Sequence, residues 1–303
     1  VAEQTGSGGE LRRFILEAHP VRGMWVQLGA AWEALRQHQR YPAAVEALLG
    51  EAATATVLLA ATLKFHGTLT LQLNGNGRVP LLVAQCTHDF KLRAVVRLSS
   101  DAGSGDDFRS LVGDGRLTVT VEANERQTRY QGIVALEGAG LAECLEAYFA
   151  TSEQLPTRLK VSADANTAAG LLIQKLPTAA GEASGAVSQD AWEDVQAGLT
   201  SIEASALRAE GAEPLLHQLC GSHDCRLFGV TAVQFFCRCN PERVAGLLRS
   251  LGSEEMHSIL AEQGAVSVTC EFCGRPYRFD AVDIEQLFAG GVGTRPPAPR
   301  SLN

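Results

Sequence analysis

Lysine is scarce in this chain. Four stand in 303 residues, Lys64, Lys91, Lys160 and Lys175, and none follows a glycine, so a Walker A phosphate loop is absent. No G-x-S-x-G elbow occurs either, which removes a common hydrolase signature. Acids outnumber bases, and the formal net charge is -8. Such a chain repels nucleic-acid phosphate unless a basic patch is set apart from the rest. Long apolar runs are missing too: the twelve uncharged residues from Ala52 to Leu63 lie between Glu51 and Lys64. A membrane span needs roughly 20 apolar residues, so a buried helix is expected there. The opening VAEQTGSGGE has neither the basic nor the apolar region of a signal peptide. The chain opens on Val1, so an initiator or short leader is expected ahead of it. Together these absences predict a cytoplasmic protein that is not an enzyme and binds neither membrane nor nucleic acid.

What is present is the composition of a folded protein, 46% hydrophobic and 20% charged, with length for two domains. The first part reads as mixed helix and strand. A helix is expected after Gly9, with Leu11, Phe14 and Ile15 on one face, and a second from about Ala43 to Phe65. The period then changes to two. Leu69, Leu71 and Leu73 alternate with polar residues before the turn signal Asn74-Gly75, and alternation recurs at Leu117, Val119 and Val121 and from Tyr130 to Leu136. A helix from about Gly140 to Thr151 and strands at Arg158 to Ser162 and Leu171 to Leu176 complete an α+β pattern.

After Pro177 the stretch TAAGEASGAVSQD reads as a linker. A helix is expected near Ser188, with Trp192, Val195, Leu199 and Ile202 as an apolar stripe, and a shorter one after Glu213-Pro214 ending at Gly221. Such a stripe needs a surface to cover. The expected organisation is a core domain over 10–177, a helical connector over 178–229 that packs on it, and a small module over 230–289. The tail from Gly290 is expected to be disordered.

Eight cysteines in a chain expected to be cytosolic point to metal or redox chemistry more than to structural disulfides. Cys237 and Cys239 form C-R-C, and Cys270 and Cys273 form C-E-F-C followed by Gly274; thirty residues separate the pairs. The second pair resembles a zinc knuckle. The first would sit on a strand face shared with Val233 and Phe235. Four thiolates satisfy tetrahedral zinc without a water, which marks a closed site. Between the pairs, Asn240-Pro241 should start a helix that buries Val244, Leu247, Leu248 and Leu251 and ends at Gly252. Ser253 should cap a second helix carrying Met256, Ile259 and Leu260, which ends at Gly264. Spacing alone leaves a structural zinc and a redox site both open. Zinc-held thiolates are oxidisable, each pair is close enough for a local disulfide, and a tight C-x-C ring would be readily reduced, which favours the redox reading. Cys86 and Cys144 are expected in the core, Cys220 and Cys225 as free thiols rather than a second metal or redox pair, and His223 and His257 as ordinary histidines.

The cysteine pattern, followed by Tyr277 and Phe279, resembles the redox-switch domain of heat shock protein 33, a bacterial redox-regulated chaperone family. The likeness continues through Pro20-Val21-Arg22-Gly23, Tyr41-Pro42, ATLKFHG at 61–67, LVGDG at 111–115, RYQGIVALEG at 129–138 and YFATSEQLPTRL at 148–159. The resemblance implies an ATP-independent holdase whose reduced form carries one zinc on Cys237, Cys239, Cys270 and Cys273 and is inactive. Oxidation would then join Cys237 with Cys239 and Cys270 with Cys273, release zinc, loosen the connector and uncover a surface for unfolded clients. The oxidised form would be a homodimer. Cys220 and Cys225 depart from the pattern and put a simple two-disulfide scheme in question.

Two other classes fit less well. From Cys237 to Asp280 there are five Arg and six acids, which is no footprint for phosphate. A thioredoxin-like C-x-x-C should open a helix, whereas Cys273 is followed by Gly274, Pro276 and a strand-like run.

Overall fold

The computed structural model describes residues 8–99, 105–123, 128–177 and 185–289. The first residues, much of the expected 178–190 linker and the tail from Gly290 lie outside the described residues. The chain divides into two compact units, Val1–Phe236 and Cys237–Asn303.

In the first unit the strands are β1 (Gly9–Leu16), β2 (Val21–Gln27), β3 (Gly67–Gly75), β4 (Leu81–Thr87), β5 (Lys91–Arg97), β6 (Gly115–Ala123), β7 (Thr128–Ala135), β8 (Thr157–Ala163), β9 (Ala168–Lys175), β10 (Cys225–Leu227) and β11 (Thr231–Phe235). The helices are α1 (Gly29–Arg36), α2 (Ala43–Thr62), α3 (Phe108–Val112), α4 (Leu141–Tyr148), α5 (Gly185–Ser201), α6 (Ala204–Ala209) and α7 (Ala212–Cys220). A π-helical turn, Phe149–Glu153, extends α4. One sheet runs in the order β7-β6-β3-β4-β5-β11-β1-β2-β9-β8, with β10 beside β1. Its pairings are antiparallel except that of β11 with β5. β11 therefore joins two antiparallel meanders. The sequence sets a boundary at 229/230; β11 accounts for the later division, because its five residues pair with β1 and β5.

Helix α2 lies at the centre. It is apolar on all sides, buries most of its length, and packs on strands of both meanders, including β2, β9, β4 and β5. Small residues let the backbones close in. A side chain at Gly50 would meet Cβ of Ala163 at 2.4 Å, and one at Gly170 would meet Thr54 at 2.8 Å. The uncharged run from Ala52 is thus a core helix.

The segment after Gly9 is a strand, not the expected helix. Leu11 is buried on the α2 side, whereas Phe14 and Leu16 are buried on the opposite face. A strand with both faces buried shows no single-face alternation, and its apolar residues here fall by chance at helical spacing. The same two-sided burial holds for β2, where Met24 and Val26 oppose Val21 and Trp25. It holds again for β9, where Leu172 opposes Leu171 and Ile173. β2, β4 and β5 escape the sequence reading altogether.

The second face of β1, β2 and β9 is covered by α5, α6 and α7. Trp192, Val195, Leu199 and Ile202 are all buried, in one cluster with Phe14, Trp25, Leu171, Ile173, Leu215 and Leu219. Each such side chain contributes roughly 1.5–3 kcal/mol in transfer terms, less after ordering costs. Polar contacts fix the register. The Lys160 ammonium on β8 donates to the carbonyls of Leu199 (3.3 Å), Thr200 (3.1 Å) and Ile202, which are otherwise orphaned at the end of α5. Arg208 pairs with Asp164 at 2.8 Å. α5 and α7 approach so closely that a side chain at Gly198 would meet the Leu219 carbonyl at 2.3 Å.

The second unit holds α8 (Pro241–Leu251), α9 (Ser253–Gln263), β12 (Val266–Thr269), β13 (Pro276–Phe279) and α10 (Ala281–Ala289), with β12 and β13 antiparallel. Its core is thin: Val244, Ala245, Leu248, Met256, Val266, Tyr277, Phe279, Ile284 and Leu287. Leu247 and Leu251, expected inside, are each 55% exposed. Ala245 takes the inner position beside Val244 and Leu248, which turns the other two leucines outward. α9 is preceded by Gly252 without a side-chain cap, and the Ser253 hydroxyl instead meets His257 Nδ1 at 3.1 Å.

Glu51 on α2 lines a cavity of about 600 Å³ together with Glu143, Lys160, Glu193 and Thr200. Burial, then the Glu143 carboxylate, pushes its pKa up to about 7. A raised carboxyl binds its proton more tightly folded than unfolded, so this group's contribution to stability falls as pH rises from about 4.5 to about 7. Glu51→Gln removes that dependence. In urea titrations the variant should gain roughly 1–3 kcal/mol on wild type between about pH 5 and about pH 8. An unchanged difference between the two proteins would place Glu51 in water.

Candidate metal centre

In the second unit the chain folds so that four cysteines meet. The expected strand face is not what carries the first two. β11 ends at Phe235, and Cys237 and Cys239 lie in the extended connection before α8. Asn240 then stops the extended run: its side chain accepts from Arg243 N at 2.8 Å, with Pro241 in the first turn. Cys270 and Cys273 lie in the turn between β12 and β13. Cys270 N donates to Arg275 O at 3.0 Å, and Cys270 O accepts from Gly274 N at 2.8 Å. Gly274 adopts φ 63, a conformation that glycine takes without strain. This is the knuckle that the sequence suggests.

The Cys237 and Cys270 sulfurs are 3.6 Å apart and those of Cys239 and Cys273 3.3 Å; all four lie within 4.8 Å of one another. These separations are far beyond a disulfide bond of about 2.05 Å. They approach the edge of ~3.8 Å that four sulfurs at about 2.3 Å from a central ion would define. Cys273 is buried and the other three are half-buried. Among the described residues this is the single cluster of such groups that could hold a metal ion.

The surroundings favour thiolate at one sulfur in particular. Burial works against ionisation of Cys239, but the Tyr277 hydroxyl and the neighbouring thiols outweigh it and hold Cys239 below the usual thiol range. The Tyr277 hydroxyl is buried without a hydrogen-bond partner, and it acts on Cys239 as the group that favours its thiolate. Arg275 is close enough to feel the charge of Cys239 and Cys273. Cys237 and Cys273 are pushed up, chiefly by burial. Four converging thiols, with Cys239 held below the usual thiol range, fit a soft divalent ion whose charge would ionise them. Sequence reasoning missed Arg275, although its place directly after C-x-x-C-G puts it beside the sulfurs.

The other candidates lie elsewhere. His257 Nε2 meets Glu285 at 2.8 Å and His223 Nε2 meets Asp194 at 2.9 Å, so both are engaged by carboxylates. Cys86 and Cys144 are buried in the main core, as expected. The stripe Trp192, Val195, Leu199 and Ile202 belongs to the first unit, as described above.

Comparison with known proteins is consistent with this geometry. The family described as Hsp33 protein matches residues 9–280. The 33 kDa chaperonin of Nitrosococcus oceani is 43% identical over 282 residues, covering 93% of this chain and 95% of its own length. That of Pseudomonas paraeruginosa is 42% identical over 297 residues, covering 95% and 97%. The solved structure of a 33 kDa chaperonin (heat shock protein 33 homolog) from Thermotoga maritima superposes with a TM-score of 0.78 at 24% identity. It covers 92% of this chain and 98% of that one, which is a likeness of fold.

Cadmium is a direct probe of the cluster. The reduced protein should take up one cadmium ion per chain, with a metal NMR shift in the all-sulfur range. Cys270→Ser should weaken uptake beyond the roughly 10–100-fold that loss of an outer-shell partner causes. Two ions per chain, or fewer than four sulfur ligands, would contradict the single closed site.

Proposed function

Since the chain belongs to the Hsp33 protein family, we propose that this chaperone is a redox-regulated holdase, inactive while reduced and zinc-bound. Zinc would be held by Cys237, Cys239, Cys270 and Cys273, one ion per chain. The observation that carries the reading is the convergence of these four thiols beside a core too thin to stand without them. Structural zinc in small modules can stabilise the fold by roughly 10–16 kcal/mol, so its loss should unfold the second unit.

Activation then follows from ordinary sulfur chemistry. A peroxide oxidises each pair of thiolates: the O–O bond breaks, one S–S bond forms, and with two protons taken from solvent two waters leave for each disulfide. The pairs are Cys237 with Cys239 and Cys270 with Cys273. A disulfide sulfur is a poor ligand, so zinc departs. Cys237 directly follows Phe236, at the end of the segment that β11 adds to the main sheet. Loss of order in the second unit therefore frees the chain next to the connector's anchor. The connector acts as a lid, with Trp192, Val195, Leu199 and Ile202 as its inner face. Its release bares Phe14, Val21, Trp25, Leu171 and Ile173, a continuous apolar sheet face of the kind unfolded clients would bind. The exposed face also accounts for homodimer formation in the oxidised state. Client binding is stoichiometric and needs no ATP, and the protein works in the cytoplasm on proteins unfolding under oxidative stress.

An aggregation assay with zinc release followed in the same sample tests the switch. A heat-unfolding test enzyme should aggregate freely with the reduced form and stay soluble with the oxidised form. Equal protection by both would leave the cysteines a structural role only.

The lid is tested without oxidation. Val195→Asp with Ile202→Asp places two unpaired carboxylates against an apolar face, at a cost of several kcal/mol against docking. The reduced double variant should hold clients while keeping its zinc. A folded, zinc-loaded and inactive double variant would mean that another element covers the client surface.

A further inference from the structure

Outside the metal cluster, one other pair of thiols, Cys220 and Cys225, lines a common cavity. Cys220 is the last residue of α7, and Gly221 turns the chain at φ 57. His223 N then donates to Cys220 O at 3.0 Å. By Cys225 the chain has entered β10, opposite Leu16 of β1. This turn sets the two side chains on the wall of one cavity, beside the same apolar cluster. Both line an open cavity of about 350 Å³ with His217, Ser222 and His223. Cys220 is buried in the same apolar cluster as the connector stripe, and the half-buried Cys225 packs on its edge.

The two partners differ in how they are held. β10 is fixed to the main sheet. Phe228 N donates to Arg13 O at 2.9 Å, Glu17 N donates to Asp224 O at 3.0 Å, and the Arg226 guanidinium clasps both oxygens of Glu17 at 2.5 and 3.0 Å. α7 is part of the connector and rests on the sheet largely through Leu215, Leu216 and Leu219. A bond between Cys220 and Cys225 would tie this helix to that anchor.

We propose that Cys220 and Cys225 form a third redox site, whose disulfide latches the end of the connector to the core sheet and restrains its release. The bond is independent of the chaperone reading; its effect on activation rests on that reading. The oxidant is a peroxide. The Cys225 sulfur attacks one peroxide oxygen, the O–O bond breaks, and the departing oxygen leaves as water, so Cys225 becomes a sulfenic acid. The Cys220 sulfur loses its proton and attacks the Cys225 sulfur; the S–O bond breaks and a second water leaves. Two thiols and one peroxide thus give one disulfide and two waters. The order follows from the local electrostatics. The hydrogen bond from Cys220 holds Cys225 below the usual thiol range, against burial and the Glu17 charge, while that same bond and then burial push Cys220 up.

The latch acts in the opposite sense to the two disulfides of the metal cluster. Those loosen a module by expelling its ion. This one would join α7 to β10, whose cysteines line the same cavity. The connector would then open from its α5 end while α7 stays seated.

A single tryptic peptide reports the bond. Ala209 to Arg226 lies between the cleavage sites at Arg208 and Arg226 and contains Cys220 and Cys225 as its two cysteines. The full-length, zinc-loaded protein is treated with hydrogen peroxide, alkylated with iodoacetamide and digested. The peptide should appear unalkylated and lighter by two hydrogens. A doubly alkylated peptide in a sample whose cluster cysteines are oxidised would overturn the proposal, as would a mixed disulfide to a cluster cysteine. Hydrogen exchange supplies the second arm. After the same treatment, amides 212–220 should exchange at least three-fold faster in Cys225→Ser than in wild type. Cys225 is half-buried at a strand edge, so this substitution leaves the fold intact. Equal exchange in the two proteins, with the disulfide present in wild type, would mean that the bond forms but latches nothing. Neither arm measures client protection, so failure of the chaperone reading would leave both results standing.

Discussion

A sheet that is apolar on both faces must be covered on both, and β1, β2 and β9 are such strands. α2 supplies one cover and α5 to α7 supply the other. The two covers are not equivalent. α2 is apolar on every side and enclosed by strands of both meanders, so it cannot leave without dissolving the core. The connector is amphipathic: it lies on one face, with Glu193 and Thr200 exposed at the cavity that Glu51 also lines. The connector therefore completes the fold from one face of the sheet, whereas α2 belongs to the core of both meanders.

The second unit answers a different constraint. About fifty residues, three helices and a two-stranded sheet bury few large side chains. Four sulfurs drawn within 4.8 Å of one another add a second centre of order, and one that depends on their oxidation state. Thiolates hold a metal and disulfides do not, so under the proposed switch a two-electron change at each pair would decide whether this small unit keeps its fold.

The glycines and small residues of the first unit serve the close approach of backbones. Gly198 lets α5 lie on α7, and Gly50 and Gly170 let α2 lie on β8 and β9. The polar contacts at these junctions, Lys160 under the end of α5 and Arg208 on Asp164, set register and direction while apolar area supplies most of the energy.

Much was legible in the residues alone. Helix α2, the alternation of β3 and β6, the connector stripe and both cysteine pairs carry patterns that depend on near neighbours. Cap, turn and knuckle residues act within a few positions, as at Asn240 and Gly274. The misreadings share one cause. The residues Leu11, Phe14 and Ile15 read as a helix because two-sided burial hides a strand's period. Leu247 and Leu251 face outward because Ala245, with Val244 and Leu248, takes the inner side of the helix. Cys237 and Cys239 sit beyond the end of β11 because strand pairing with β1 and β5, invisible in the local sequence, stops at Phe235. The sequence by itself determined which residues could ligate, cap and pack. Only the tertiary structure decided which faces are covered twice and how close the four sulfurs come. Those outcomes depend on contacts between segments far apart in the chain, and no local pattern encodes such a contact.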